Sequence, residues 1–393
     1  MPPSTAETGL VLPGGGARAA YQVGALRAIA RVLPRSFAQP FPVICGTSAG
    51  AINAAMLGAN ADSFRRGVAR LLRWWRRITV TDVYRADLAT LTRHSFRLLA
   101  SLGGGGLGPQ RAASIFDNAP LGRLLGAGID VERIRAHIDA GHLHALGINA
   151  TSYGSGHAVT FFEGTPSVAP WQRVRRRGER SRLTAEHLLA SAAIPFIFPA
   201  VRIGTDYFMD GSVRQITPLA PALHLGATRI VAIAVGQFAG QSPTAGPTQY
   251  PSLGQITGHA LSSVFLDNLA ADLERLHVIN RLANVAPSRE AAARDPDVRH
   301  IDVLVLVPTR DLGALALQYA DRLPRTVHHV LRGFGSTRGT GANLISYLLF
   351  DRAYCRALMQ QGFEDAMARR DELAAFLADA SVNFLPLFPP EWR

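Results

Sequence analysis

The stretch that most constrains the fold is residues 41–55, FPVICGTSAGAINAA, with Ser48 at its centre. The residues before Ser48 form an apolar run typical of a buried strand, and those after it favour a helix. A serine at a strand-to-helix turn, with Gly46 and Gly50 two places to either side, has the pattern of a nucleophile elbow. The helix starts so close behind the serine that a larger side chain at either glycine would obstruct the crossing. We therefore expect an exposed Ser48 hydroxyl at a helix N-terminus, where N–H groups favour negative charge; an ordinary turn with a helix N-cap stays open.

A glycine-rich turn precedes the elbow. Residues 9–13 predict a strand that leads into Gly14-Gly15-Gly16-Ala17-Arg18, and a helix follows to about Leu33. Strand, glycine run and helix together are also compatible with a dinucleotide fingerprint, in which Ala19 would take the last small position.

That fingerprint needs an acidic residue about 20 positions further on to bind the ribose. No Asp or Glu occurs between Glu7 and Asp62, which leaves only a weak NADP alternative through Arg31 or Arg35. Consecutive glycines can instead present N–H groups to a tetrahedral intermediate. Because a serine elbow lies on the next strand, we interpret the run as an oxyanion loop.

Further along the chain, one carboxylate, Asp210, also stands at the end of an apolar strand and before a glycine. Residues 201–203 and 207–209 predict a hairpin, and Asp210-Gly211-Ser212 follows its second strand. Taken alone, Asp210-Gly211 is also a common turn-forming pair.

These segments together resemble the patatin-like phospholipases, a family of lipid acyl hydrolases. The resemblance rests on GGGARAAYQVGALRAI from residue 14, on GTSAGAINAA from residue 46, on the segment 115–121, and on the Ser-Ala-Ala-Ile-Pro to Phe-Pro run at 191–199. Two positions depart from the family pattern, which ends the loop in Arg-Gly and has Gly or Ala after Asp-Gly. This chain has Ala19 and Ser212 there.

The resemblance implies a Ser-Asp dyad without histidine, with Ser48 as nucleophile, Asp210 as proton acceptor and the run at 191–199 lining the acyl cleft. We expect no cofactor and no metal site. It implies oxyanion-hole N–H groups from Gly14, Gly15, Gly16, Ala17, Arg18 and Ala49, and supporting motif positions at Gly46, Thr47, Gly50, Gly211 and Ser212. The Arg18 side chain would support the loop or meet a phosphate, or it would be an ordinary surface arginine without a role in the site.

Continuous apolar runs at 229–235 and 300–307 are typical of central strands buried on both faces. We expect an α/β protein, a patatin-like α/β/α sandwich with a mainly parallel sheet. Its core would span 8–310, with the motifs within 8–220, and a helical C-terminal extension over 311–393 would pack on it. Other predicted elements are a hairpin over 143–149 and 157–163, a mobile loop at 101–110, a charged loop at 173–182, and helices at 183–193, 253–282, 343–361 and 363–378.

The formal net charge of +12 favours anionic partners, and the chain contains no lysine. The absence of lysine excludes a Walker-A loop, a Schiff-base enzyme and a Ser-Lys dyad. Residues 63–78 predict an amphipathic helix with an arginine-rich face and tryptophan at its edge. That helix either packs on the sheet with a solvated arginine face or lies on an anionic bilayer. We expect an acyl-lipid partner, with contact to an anionic membrane as an open possibility, and no nucleic acid.

The N-terminus has no basic and apolar signal-peptide pattern, and no apolar run is long enough to span a bilayer. We expect a cytoplasmic location, at most peripheral to the membrane. Two cysteines, Cys45 and Cys355, support neither a disulfide framework nor a zinc site.

The predicted function is therefore a serine-dependent lipid acyl hydrolase of the phospholipase A or esterase type, working through an acyl-enzyme. One alternative is a Ser-His-Asp esterase or acyltransferase using a histidine after Asp210, such as His224, His259 or His328. Another is a catalytically weak membrane- or partner-binding protein on the same fold, with Ala19 and Ser212 as signs of decay.

Overall fold

Ten strands form one mixed sheet in the computed structural model, which describes residues 8–34, 37–85, 114–236, 268–285, 300–333 and 342–378. The strands are β1 (Thr8–Leu12), β2 (Val43–Thr47), β3 (Ala145–Ser152), β4 (Ala158–Gly164), β5 (Trp171–Arg173), β6 (Arg176–Arg180), β7 (Val201–Ile203), β8 (Asp206–Asp210), β9 (Arg229–Ile233) and β10 (Asp302–Leu306).

The strand order is β10-β9-β1-β2-β3-β4-β6-β5, with β8 pairing to both β3 and β7. The five strands from β10 to β3 are parallel to one another. Antiparallel pairing begins where β4 and β8 join β3 and continues in the short hairpins at the edge.

The central strands are buried along nearly their whole length, as their continuous apolar runs predict. Successive side chains of a strand point to opposite faces, so each strand contributes to two apolar layers. Leu10 and Ile44 lie in the larger layer, and Val11 and Val43 lie in the smaller one. This confirms the prediction that both faces of the central sheet are covered.

Helices cover both faces. They are α1 (Ala20–Val32), α2 (Ala49–Gly58), α3 (Phe64–Trp75), α4 (Val80–Val83), α5 (Ala119–Gly128), α6 (Glu132–Asp139), α7 (Ala185–Ser191), α8 (Ala220–His224), α9 (Asn268–Val285), α10 (Leu312–Leu317), α11 (Arg325–Gly333), α12 (Ala342–Leu348), α13 (Arg352–Ala368) and α14 (Arg370–Leu377). Helices α1, α2, α3 and α13 belong to the larger apolar layer, and α8 and α9 to the smaller one.

The C-terminal helix α13 packs directly against α1. A Cβ atom added at Gly24 would lie 1.9 Å from the carbonyl oxygen of Met359, and one added at Gly362 would lie 2.1 Å from that of Tyr21. These glycines therefore let the two helix backbones approach closely. The position of the boundary at 310/311 between core and extension stays a prediction.

Two predicted elements differ from the structure, and two others lie wholly or partly outside the described residues. The charged segment 173–182 was expected as a loop, but it contributes β6 and the end of β5, because β6 pairs with β4 and extends the sheet. The predicted helix at 343–361 is broken, since the carboxylate of Asp351 caps a new helix by accepting hydrogen bonds from the N–H groups of Ala353 and Tyr354. The glycine-rich segment at 101–110 and the first part of the helix at 253–282 lie outside the described residues.

Candidate active site

Ser48 lies at the turn between β2 and α2, where the sequence predicts an elbow. Its backbone has φ 56° and ψ −130°, a conformation that non-glycine residues rarely adopt. A Cβ atom at Gly50 would lie 2.1 Å from the Leu12 carbonyl oxygen, and one at Gly46 would lie 2.5 Å from the Gly50 carbonyl oxygen. The two glycines are therefore required by close backbone contacts, and the strained serine is held by the packing of α2 against the sheet.

The register of β3 brings Asp210 to Ser48. Strand β4 occupies one edge of β3, so β2 and β8 both pair along the other edge. There Thr47 is the last residue of β2 and pairs with Asn149, while Asp210 ends β8 and pairs with Ala150. Two strands running in opposite directions thus meet end to end, and Ser48 follows directly at their junction.

Asp210 is fully buried. Burial raises the pKa of its carboxyl from the ordinary value of 3.8 to about 6, and hydrogen bonding from the Ser48 side chain and from Ser212 offsets part of that rise. The Ser212 N–H donates to Oδ1 at 2.9 Å, whereas Oδ2 has no hydrogen-bond partner of regular geometry. The carboxylate therefore keeps one oxygen able to accept a proton beside Ser48.

Sequence reasoning missed two residues that hold the elbow. The Ser48 N–H donates to Ser191 Oγ at 2.8 Å, and the Ser191 hydroxyl donates to the Asn149 carbonyl oxygen at 2.5 Å. The Asn149 side chain in turn donates to Thr47 Oγ1 at 2.9 Å. Their only sequence signals are the serine that opens the run at 191–199 and a lone amide within an apolar strand.

The glycine-rich loop lies beside Ser48. It leads from β1 into a 3-10 turn at Gly16–Ala19, and Gly16, with φ 54°, lines the same cavity as Ser48 and Ala49. As first residues of their helical turns, Gly16 and Ala49 have N–H groups without an intrahelical acceptor. The Arg18 N–H, in contrast, donates to the Gly15 carbonyl oxygen at 3.1 Å. Arg18 is thus the weakest of the predicted oxyanion donors.

A small apolar cavity opens from Ser48. Its walls come from α2, α3, the run at 191–199 and the C-terminal region, and include Ile52, Trp74, Trp75, Ile78, Val83, Leu121, Ala192, Ile194, Phe198, Tyr347 and Phe350. These walls leave Ser48 only 2% exposed, so the expectation of an exposed hydroxyl is wrong. Ser48 instead lines the apolar cavity from within.

Comparison with known proteins adds a decisive observation. The model of the patatin-like phospholipases matches residues 10–223, more than half of the chain. The chain belongs to the patatin-like phospholipase family. This patatin-like chain accordingly has the patatin fold, a ten-stranded mixed sheet flanked by helices with a helical C-terminal region, and family membership indicates a lipid acyl hydrolase with a lipid substrate.

Among solved structures, the protein is similar to VipD from Legionella pneumophila, at 12% identity and a TM-score of 0.32, over 94% of this chain and 67% of that one. A comparison with curated proteins found no match. Among the described residues, no helix combines the length and apolarity needed to cross a bilayer.

In this patatin-like chain the histidines proposed for a triad lie elsewhere. His224 stacks on Trp171 with ring centroids 4.8 Å apart, beside the smaller apolar layer. His328 lies in α11, and His259 is outside the described residues. Within the described part of the chain, the hydrogen-bonding side chains that shift the Asp210 pKa are Ser48 and Ser212, with no histidine between them.

Proposed function

We propose that the chain is a serine-dependent lipid acyl hydrolase of the phospholipase A or esterase type, with a Ser48–Asp210 dyad. The observation that carries the proposal is the meeting of a strained serine elbow with a buried carboxylate at one end of an apolar cavity. A pKa of about 6 keeps Asp210 ionised at neutral pH, yet makes it a better proton acceptor than an ordinary carboxylate.

In the proposed reaction, Asp210 accepts the Ser48 proton as Ser48 Oγ bonds to the ester carbonyl carbon. N–H groups of Gly14 to Ala17 and of Ala49 hold the oxyanion. Asp210 then returns the proton to the departing alcohol as the C–O bond breaks, which leaves an acyl-enzyme on Ser48. Water attacks the carbonyl carbon of this ester while Asp210 takes its proton, and Asp210 then gives that proton to Ser48 Oγ as the acyl C–Oγ bond breaks, which releases the fatty acid and regenerates Ser48.

The chemistry of the cavity suits an acyl chain, because apart from Ser48 and backbone groups its walls are almost entirely aliphatic and aromatic. An ester of a water-soluble acid would leave those walls without a partner. The cavity therefore favours a lipid acyl chain over a small polar acyl group.

The test is labelling of the full chain with a fluorophosphonate probe, competed by phospholipid vesicles and by p-nitrophenyl esters. We expect one adduct, located on Ser48, lost in S48A and reduced by the lipid. A label that persists in S48A would refute the nucleophile. Absence of labelling in a folded protein that still binds vesicles would favour the catalytically weak binding protein.

We also propose peripheral contact with an anionic membrane through the mouth of the cavity. Helix α3 buries its apolar face, with Leu71 and Trp75 fully enclosed, so that face is not available to lipid. Arg70, Arg73 and Arg77 are exposed and flank the half-buried Trp74. Arg70 and Arg73 lie within α3 at spacings that place them beside Trp74, and Arg77 lies in the turn that follows the helix. None of the three forms an ion pair within the described residues.

An aromatic side chain on the other wall supports the same contact. Phe196 is 81% exposed and has φ 65°, a strained backbone for a bulky residue, between the cavity-lining residues Ile194 and Phe198. Arginines attract anionic headgroups, and an exposed phenylalanine gains free energy by entering the acyl region.

The triple variant R70Q/R73Q/R77Q should weaken binding to vesicles containing phosphatidylglycerol, and F196S should do so as well, while both keep hydrolysis of a soluble ester. R173Q/R175Q/R202Q removes the same charge from the β5–β6 and β7–β8 hairpins, and F37S removes another exposed phenylalanine; these controls should bind normally. Added salt should release the wild-type protein from these vesicles, because ions screen the attraction between arginines and anionic headgroups. Equal binding by the triple variant and its control would refute the arginine contact.

A further inference from the structure

The side chain of Arg18 extends from the oxyanion loop to the C-terminal region. Its Nε donates to Ser346 Oγ at 2.7 Å, and its Nη2 donates to Asn343 Oδ1 at 2.7 Å. The guanidinium also lies 4.5 Å from the centre of the Tyr347 ring. All three partners are on α12, 325 or more positions away in the chain.

The same helix touches the oxyanion loop through its backbone. A Cβ atom added at Gly16 would lie 2.2 Å from the Tyr347 carbonyl oxygen. Tyr347 also lines the cavity at Ser48, and so does Phe350 just after α12. The loop and α12 therefore share one packed interface at the reacting end of the cavity.

The chemistry of arginine suits this position. Arg18 is 2% exposed, and none of the ion pairs in the described part of the chain involves it. A planar guanidinium can direct separate N–H groups to two side chains on one helix and stack on a third, which an ammonium group cannot do. A buried charge held by neutral partners costs free energy, and such costs are typical of functional sites.

We infer that Arg18 is a positioning residue that fixes the oxyanion loop to α12, and that α12 is therefore part of the active site. This inference rests on the proposed function. It also extends beyond the family match, which ends at residue 223. Loss of the Arg18 contacts with α12 lets Gly14–Ala17 move away from the oxyanion. The loss therefore reduces transition-state stabilisation more than ground-state binding.

A second buried arginine provides a matched control. Arg229 donates to the Phe376 carbonyl oxygen at 2.9 Å and lies 4.3 Å from the Phe376 ring centre. It thus ties the sheet to the C-terminal region as Arg18 does. It stands, however, at the first residue of β9, whereas Ser48 follows the last residue of the parallel strand β2. The two arginines therefore lie at opposite ends of the parallel strands, and only Arg18 is at the end that carries Ser48.

The experiment compares R18Q, R18K and R229Q in the full chain, with kcat and KM measured on a soluble ester and stability by denaturant unfolding. R18Q should lower kcat by about 100-fold, the loss expected of one oxyanion donor, with KM within about threefold. The kcat of R18K should stay within about tenfold of that of R18Q, because lysine keeps the positive charge but lacks the planar guanidinium that donates to two side chains at once. R229Q should lose stability and keep kcat.

A double-mutant cycle tests the contact itself. S346A alone should lower kcat by about fivefold, and R18Q/S346A should be no slower than R18Q, since the two changes remove one interaction. If R18Q does not fold, S346A carries the test, and an unchanged kcat in S346A overturns the inference.

Three results overturn it when R18Q folds: kcat of R18Q near wild type, full rescue by R18K, or an equal loss of kcat in R229Q. With S48A inactive, any of these leaves the proposed function standing. An active S48A overturns the proposed function and this inference together.

Discussion

Replacing Asp210 by Asn should inactivate the protein and stabilise it. The carboxyl is fully buried, and burial raises its pKa from 3.8 to about 6. At 1.36 kcal/mol per pH unit, keeping this group ionised in the fold costs about 3 kcal/mol. An uncharged amide avoids that cost.

The sign of the pH dependence follows from proton binding. Between about pH 4 and pH 6 the native state holds the Asp210 proton more tightly than the unfolded chain does, so stability falls as pH rises through this window. Above it the full cost is present. In D210N, Oδ1 still accepts from the Ser212 N–H, but the new N–H group replaces an oxygen without a regular partner, which costs about 1 kcal/mol or more.

We therefore expect D210N to be about 1–2 kcal/mol more stable than wild type at pH 8, and this advantage should shrink and disappear near pH 4. Urea unfolding at the two pH values measures it, and hydrolysis of a p-nitrophenyl ester should fall by about 1,000-fold or more. D206N on the same strand is the control. Burial alone would raise the Asp206 pKa, but hydrogen bonds from Ser152, Tyr207 and Gly154 outweigh burial and lower it, so D206N should be less stable at pH 8. The reasoning would be refuted if D210N were no more stable than wild type at pH 8, or if the difference in their unfolding free energies did not change with pH.

The remaining predictions concern the same site. S48A should abolish esterase activity with an unchanged unfolding midpoint, and activity within about tenfold of wild type, a barrier change of only ~1.4 kcal/mol, would contradict the nucleophile. H224A and H328A should each retain kcat within about tenfold, whereas a loss of three orders of magnitude in a folded variant would favour a triad. S212A removes a hydrogen bond that lowers the Asp210 pKa, so the acid limb of the pH–rate profile should move to higher pH. G50A places a methyl group 2.1 Å from a carbonyl oxygen and should fail to fold or lose the elbow, as circular dichroism and activity would report.

The parts of the site that sequence predicts are those whose geometry is local. Spacing of Gly46, Ser48 and Gly50 encodes a turn because close backbone contacts forbid larger side chains. Apolar runs predict β9 and β10 because burial on both faces favours apolar residues after the first position of each strand.

The missed parts depend on distant packing. Nothing near Tyr347 or Phe350 in the sequence indicates that they line the cavity at Ser48, because that contact exists only after α12 packs on the oxyanion loop. The amphipathic pattern of 63–78 had a similar limit. Hydrophobic periodicity shows that a helix buries one face, but the pattern is the same whether protein or lipid covers it.

The two departures from the family pattern bear on whether the site has decayed. Ala19 has φ −62°, an ordinary helical value, so the position does not need glycine, and its side chain is fully buried in the larger apolar layer. Ser212 hydrogen-bonds to Asp210 through both its N–H and its side chain, and this lowers the pKa of a carboxyl that burial alone would raise further. A decayed site would gain nothing from keeping a buried carboxylate ionised at a cost in stability. Both substitutions thus fit a working dyad better than an inherited fold without catalysis. If the dyad works, S212A should still hydrolyse esters at high pH, whereas a decayed site should be inactive at every pH.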